Sequence, residues 1–102
     1  MAKAIKDWDT DKKVAVVGSG GLSHFLVDEE IDQLALKGMK EKDGEALAVL
    51  PRYRLNSGSS EILNWITAAA ACEHLDMDVV EYVPVYRSPA GTGGGWGFAI
   101  WK

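Results

Sequence analysis

The segment Val14-Ala15-Val16-Val17 is wholly apolar, three of its four residues are β-branched, and Gly18-Ser19-Gly20-Gly21 follows at once. β-Branched side chains favour extended backbone. A strand that is apolar on both faces has to be covered on both, as in a parallel sheet held between layers. It also needs a hydrogen-bonded neighbour along each edge, and the chain supplies few. Val79–Tyr86 alternates in part and is rich in β-branched and aromatic residues, with Pro84 pointing to an edge position or a bulge. Phe98–Trp101 is a short final strand. The expected fold is therefore α/β, a small, incomplete mixed sheet flanked by helices. It reads as part of a larger sheet, completed by another chain or another segment.

The helical segments are read from spacing and caps. Residues 2–8 resemble the last turns of a helix, with Ala4, Ile5 and Trp8 on one side. From Asp28 to about Met39, Asp28, Glu29 and Glu30 suit a positive helix N-terminus, Ile31, Leu34 and Ala35 follow at helical spacing, and Gly38 marks the end. A short helix over Gly44–Leu50 stops at Pro51, and residues 52–58 read as loop. The strongest helix runs from about Ser59 to Leu75, where Ile62, Trp65, Ile66, Ala69 and Cys72 or Glu73 recur at three and four residues. Ser88–Gly97 reads as a glycine-rich loop, suited to a mobile lid or to close packing.

A length of 102 residues fits one domain, residues 1–102. Fifteen acidic against eleven basic residues argue against nucleic acid, since no excess of Lys and Arg exists to displace counterions from a phosphate backbone. Cys72 is the sole cysteine, so neither an internal disulfide nor a cysteine-rich zinc site is available. No apolar run is long enough for a membrane span and the first residues lack a signal-peptide core. The expectation is a cytoplasmic protein without a membrane or nucleic-acid partner.

Three stretches could carry chemistry. His24 follows the expected strand, at the end where α/β sheets bind ligands, and imidazole titrates near neutrality. The preceding Gly18–Ser23 matches the dinucleotide fingerprint G-x-G-x-x-G only in part, with Ser23 in the third place. No helix opens at once behind it, and the acids at 28–30 would repel a pyrophosphate. Glu61 stands near the start of the long helix, with Ser59 as expected N-cap. There the helix dipole favours the ionised carboxylate that a divalent metal needs. An acid in a first turn also stabilises a helix by itself. His74, thirteen residues further on, would lie about 20 Å away on another face and cannot share a metal with Glu61. Ser88, Thr92 and Arg87 offer hydroxyls and an anion contact in the glycine-rich stretch.

In order, Gly20-Gly21-Leu22-Ser23-His24-Phe25, Ser60-Glu61-Ile62-Leu63-Asn64-Trp65 and Tyr82-Val83-Pro84-Val85-Tyr86-Arg87-Ser88-Pro89-Ala90-Gly91-Thr92-Gly93 resemble class III extradiol ring-cleavage dioxygenases. The resemblance is to the C-terminal part of their catalytic B (beta) subunit, of the protocatechuate 4,5-dioxygenase and gallate dioxygenase type, and covers about residues 13–98. It implies a ferrous-iron enzyme acting on a catechol-type aromatic acid and O₂, with two histidines and a glutamate holding the metal. By it, Glu61 is the glutamate ligand, His24 the acid/base that moves substrate protons, and Ser88 and Thr92 substrate contacts. The two iron-binding histidines of that family have no counterpart here. The resemblance thus implies a portion of a subunit, inactive alone, that forms a homo-oligomer or joins another dioxygenase subunit. The alternative is a non-catalytic truncated subunit serving oligomer assembly.

Overall fold

The computed structural model describes residues 2–102. In chain order they form α1 (Ala2–Asp7), β1 (His24–Leu26), α2 (Glu29–Lys40), α3 (Gly44–Ala48), α4 (Ile62–Ala71), β2 (Met77–Tyr86) and β3 (Thr92–Trp101), with 3-10 turns at Arg52–Arg54 and Ser57–Glu61. The α/β class holds. The strands lie in the order β1-β3-β2 and every pairing is antiparallel.

β2 and β3 form a hairpin whose register runs from Met77 opposite Trp101 to Tyr86 opposite Gly93, with a bulge between Val79 and Glu81. β2 is an edge strand, one of the two placements Pro84 pointed to. Pro84 faces Gly95, whose own N–H turns the other way to Ser23 O at 2.8 Å, so the ring removes no ladder bond between the two strands. β3 begins earlier than its apolar end suggested. Thr92–Gly97, read as loop from its glycines, is strand because those glycines let neighbouring groups approach. A Cβ on Gly95 would stand 2.1 Å from Asp32 Oδ2.

The expected strand at Val14–Val17 does not form. The segment pairs with no strand among the described residues, and Val17 is 81% exposed. Its composition favours extension, but the backbone just after it is held elsewhere. The Trp65 indole N–H donates to Gly20 O at 3.0 Å, and the Asn64 amide donates to Ser19 O at 3.1 Å. Those bonds tie the glycine stretch to α4, and Val14–Val17 shares a cleft lining with β3 without pairing to it.

α2 is capped by Asp28, which accepts from Ile31 N–H at 3.2 Å, and it ends with Lys37 and Lys40 against the negative helix terminus. Gly38 lies inside it. The buried face is Ile31, Asp32, Ala35, Leu36, Gly38 and Met39, so the stripe is rotated from the expected one and Leu34 is exposed. α4 starts later than expected, because Ser57–Glu61 forms a 3-10 turn, and it is shorter, because the chain turns at 72–75. The core joins Leu22, Ile31, Leu36, Met39, Leu50, Ile62, Trp65 and Met77, each worth roughly 1.5–3 kcal/mol on full burial.

Candidate functional site

Glu61 ends the 3-10 turn and immediately precedes α4, yet its carboxylate does not cap that helix. It reaches across to the glycine loop instead, where Oε2 accepts from Gly21 N–H at 2.8 Å. Gly20 permits this approach. Its φ is +124°, and a Cβ there would lie 2.3 Å from Glu61 Oε2. A loop amide that a pyrophosphate would use is thus already bonded to a carboxylate, which removes the dinucleotide reading on physical grounds.

His24 opens β1 and faces Gly94 of β3. Its backbone is held by one hydroxyl: Ser59 Oγ accepts from His24 N–H and donates to His24 O, both at 3.0 Å. Ser59 is therefore a brace between the 3-10 turn and β1 rather than an N-cap. The ring is also oriented. Nδ1 lies 2.9 Å from Leu22 O, and a carbonyl only accepts, so in the neutral ring Nδ1 carries the proton and Nε2 keeps its lone pair. Nε2 is 3.7 Å from Glu61 Oε2, with the His24 side chain 19% and the Glu61 side chain 40% exposed. The Nε2 lone pair and the Glu61 carboxylate thus stand side by side as two electron-pair donors.

The structure thus brings Glu61 and His24 together, and both line a cleft of about 1350 Å³. One wall is Val14–Gly21, and α4 contributes Trp65 and Ala68. β3 contributes Gly93–Trp101, with Arg87 the cationic side chain at the rim. Besides the His24–Glu61 pair and Arg87, the lining is largely apolar and aromatic, with Ser19 and Tyr86 adding hydroxyls.

Ser88 and Thr92 are not with the pair. Their hydroxyls face each other at 2.7 Å across the β2–β3 turn, away from the walls of the cleft. His74 is exposed in the turn after α4.

Asp32 also shapes the site, although the spacing of motifs did not point to it. It is fully buried on α2, and its carboxylate accepts from Ser23 N–H, Ser23 Oγ–H and Tyr82 O–H, each at 2.7 Å. It fixes the residue next to His24. Burial, together with the bond to Asp32, pushes the Tyr82 phenol well above its ordinary range, so it stays a donor. The sequence signal was an acid at helical spacing with Leu36 and Ala35, on the face that had to be apolar. Asp28 is tied differently. Burial pushes its carboxyl up, but the Arg54 guanidinium and the Ile31 N–H outweigh this and hold it below the usual carboxylate range.

The donor set for a metal is partial. Among the described residues no three of His, Cys, Asp and Glu come together. One carboxylate and one imidazole do not make the three-ligand facial set of a ferrous site. Nor is any helix among the described residues long and apolar enough to cross a membrane.

Fold and site together define a small α/β chain with an oriented imidazole–carboxylate pair in an apolar cleft. The sequence matches no protein-family model and no curated protein, and the fold matches no solved structure.

Proposed function

We propose that this chain is the Glu61- and His24-bearing portion of an extradiol ring-cleaving dioxygenase subunit, cytoplasmic, acting on a catechol-type aromatic acid with O₂. The observation that carries the reading is the 3.7 Å approach of His24 Nε2 to Glu61 Oε2 in the cleft. The two residues belong to separate sequence motifs, far apart along the chain, and they share one cavity. Glu61 is the anionic ligand, and the set is completed by imidazoles from a histidine-bearing partner. Alone, the chain holds ferrous iron weakly and does not turn over.

The roles of this chain's own residues follow from their geometry. His24, with Nδ1–H fixed on Leu22 O, takes a phenolic proton at Nε2 and later returns it, because only Nε2 faces the cleft as a base. The Gly21 N–H holds the Glu61 carboxylate in place. Trp65 and the β3 aromatics offer apolar faces to an aromatic ring, and Arg87 attracts its carboxylate.

The test measures ferrous-iron binding and oxygen uptake with 3,4-dihydroxybenzoate, with and without free imidazole to supply nitrogen ligands. The expected result is weak iron binding and no uptake for the chain alone, tighter binding with imidazole, and loss of that gain in Glu61→Ala. Iron binding or ring cleavage that persists unchanged in Glu61→Ala overturns the assignment.

A further inference from the structure

β3 is paired along its whole length on the β2 side but only in part on the other. β1 covers Thr92, Gly93 and Gly94, and the Leu22–Ser23 turn covers Gly95. In an antiparallel strand the N–H and C=O of alternate residues point to the same edge. Gly91 and Gly95 bond toward β1 and the turn before it, while Thr92 and Lys102 bond toward the β2 side. By that alternation Gly97, Ala99 and Trp101 direct their backbone groups to the uncovered edge, where no strand pairs with them among the described residues. The sheet face beside this edge is also uncovered, with Val83 at 42%, Val85 at 45%, Trp96 at 54%, Phe98 at 55% and Ile100 at 51% exposure. Glycine, alanine and aromatics here offer no charge to blunt an open edge.

The same chain holds an unused strand. Val14–Val17 is apolar, rich in β-branched residues and unpaired among the described residues, and Ser19 and Gly20 just after it are held on α4 by Asn64 and Trp65. The exposed apolar side chains on the segment and the sheet face present on the order of 700 Å² per copy, near the ~800 Å² per partner of a stable interface.

From these observations we infer that the strand completing this edge comes from a second copy of this chain. Val14–Val17 of each copy adds as a strand along the Gly97–Trp101 edge of the other, in a closed two-fold dimer. Reciprocity favours this arrangement, because one twofold contact satisfies both copies' edges and both copies' strands. The inference stands on the fold and does not require the ring-cleavage reading. A dimer without metal affinity would leave it intact.

Sedimentation equilibrium from about 1 to 100 μM, a range that brackets weak homodimers, is expected to give twice the 11.1 kDa chain mass at the upper end. Amide exchange of Gly97, Ala99 and Trp101 is expected to slow as dimer forms. Val17→Lys, at a site too exposed to disturb the monomer, is expected to weaken association about tenfold or more. Ala99→Pro, which removes one outward N–H, should do the same. A monomer at the highest concentration, open-ended assemblies that grow with concentration, a dimer unaffected by Val17→Lys, or a dimer whose three edge amides exchange freely would each overturn the inference.

Discussion

Asp32 is the residue whose replacement tests most of the fold and the approach to His24 at once. It is fully buried, and its three donors are Ser23 N–H, Ser23 Oγ–H and Tyr82 O–H. A hydrogen bond to a charged group contributes about 1.5–3 kcal/mol, and a buried donor left without a partner costs about 1–3 kcal/mol. Tyr82→Phe removes one bond at a half-buried phenol and leaves Ser23 satisfied, so about 1.5 kcal/mol is expected. Asp32→Asn keeps one acceptor oxygen but presents an NH₂ group to two hydroxyls that had been donating, for an expected loss of about 2–3 kcal/mol. Asp32→Leu orphans both Ser23 donors, less the desolvation regained from the carboxylate, for about 3–4 kcal/mol. A domain of this size has about 5–10 kcal/mol in all. Asp32→Asn should therefore fold and Asp32→Leu should be near its limit. Urea unfolding at neutral pH, followed by the fluorescence of buried Trp65, measures these differences. Tyr82 and Asp32 share one bond, so the double variant Tyr82→Phe/Asp32→Asn should fall short of additivity by about 1 kcal/mol. Single variants within about 0.5 kcal/mol of the parent, or strict additivity, would refute the network.

Gly20→Ala should cost about 2–4 kcal/mol, because φ is +124° and the new methyl meets Glu61 Oε2 at 2.3 Å; thermal unfolding checks it, and an unchanged midpoint would mean the loop does not lie on Glu61. Glu61→Gln retains an oxygen for Gly21 N–H, so stability should change by less than about 0.5 kcal/mol while divalent-metal affinity falls about tenfold or more, measured by titration calorimetry with imidazole present. Arg54→Met removes the paired hydrogen bonds to Asp28 and the contact with Glu30, and should cost about 1–2 kcal/mol at neutral pH. The sign with pH is fixed by the depressed Asp28 value. The stabilisation is present above the ordinary 3.8 and lost as pH falls through the lowered folded value, so the gap between parent and variant should close in acid unfolding curves taken progressively below pH 3.8.

What the sequence disclosed is local, and the physical reason lies in how each element is stabilised. Asp28 ahead of an acidic first turn marked α2 because cap, dipole and first-turn charges all lie within a few residues. Pro84 marked an edge strand because a missing N–H tolerates only one neighbour. The expectation for Val14–Val17 failed for the opposite reason. Its residues do favour extension, but pairing is a long-range event, decided here by Trp65 and Asn64 some 45 residues away capturing Gly20 and Ser19. The glycines of residues 93–97 misled similarly: they look like a loop until Asp32 is known to press against Gly95. The convergence of Glu61 and His24 was expected from ordered motifs and not from periodicity, and the pair meets because Gly20 lets one loop pass close over the start of α4. Asp32 could have been found from the sequence alone by asking why an acid occupies the apolar stripe of α2. A carboxylate there has to be matched by buried donors, and the serine beside His24 together with the tyrosine of a half-buried strand were the donors within reach.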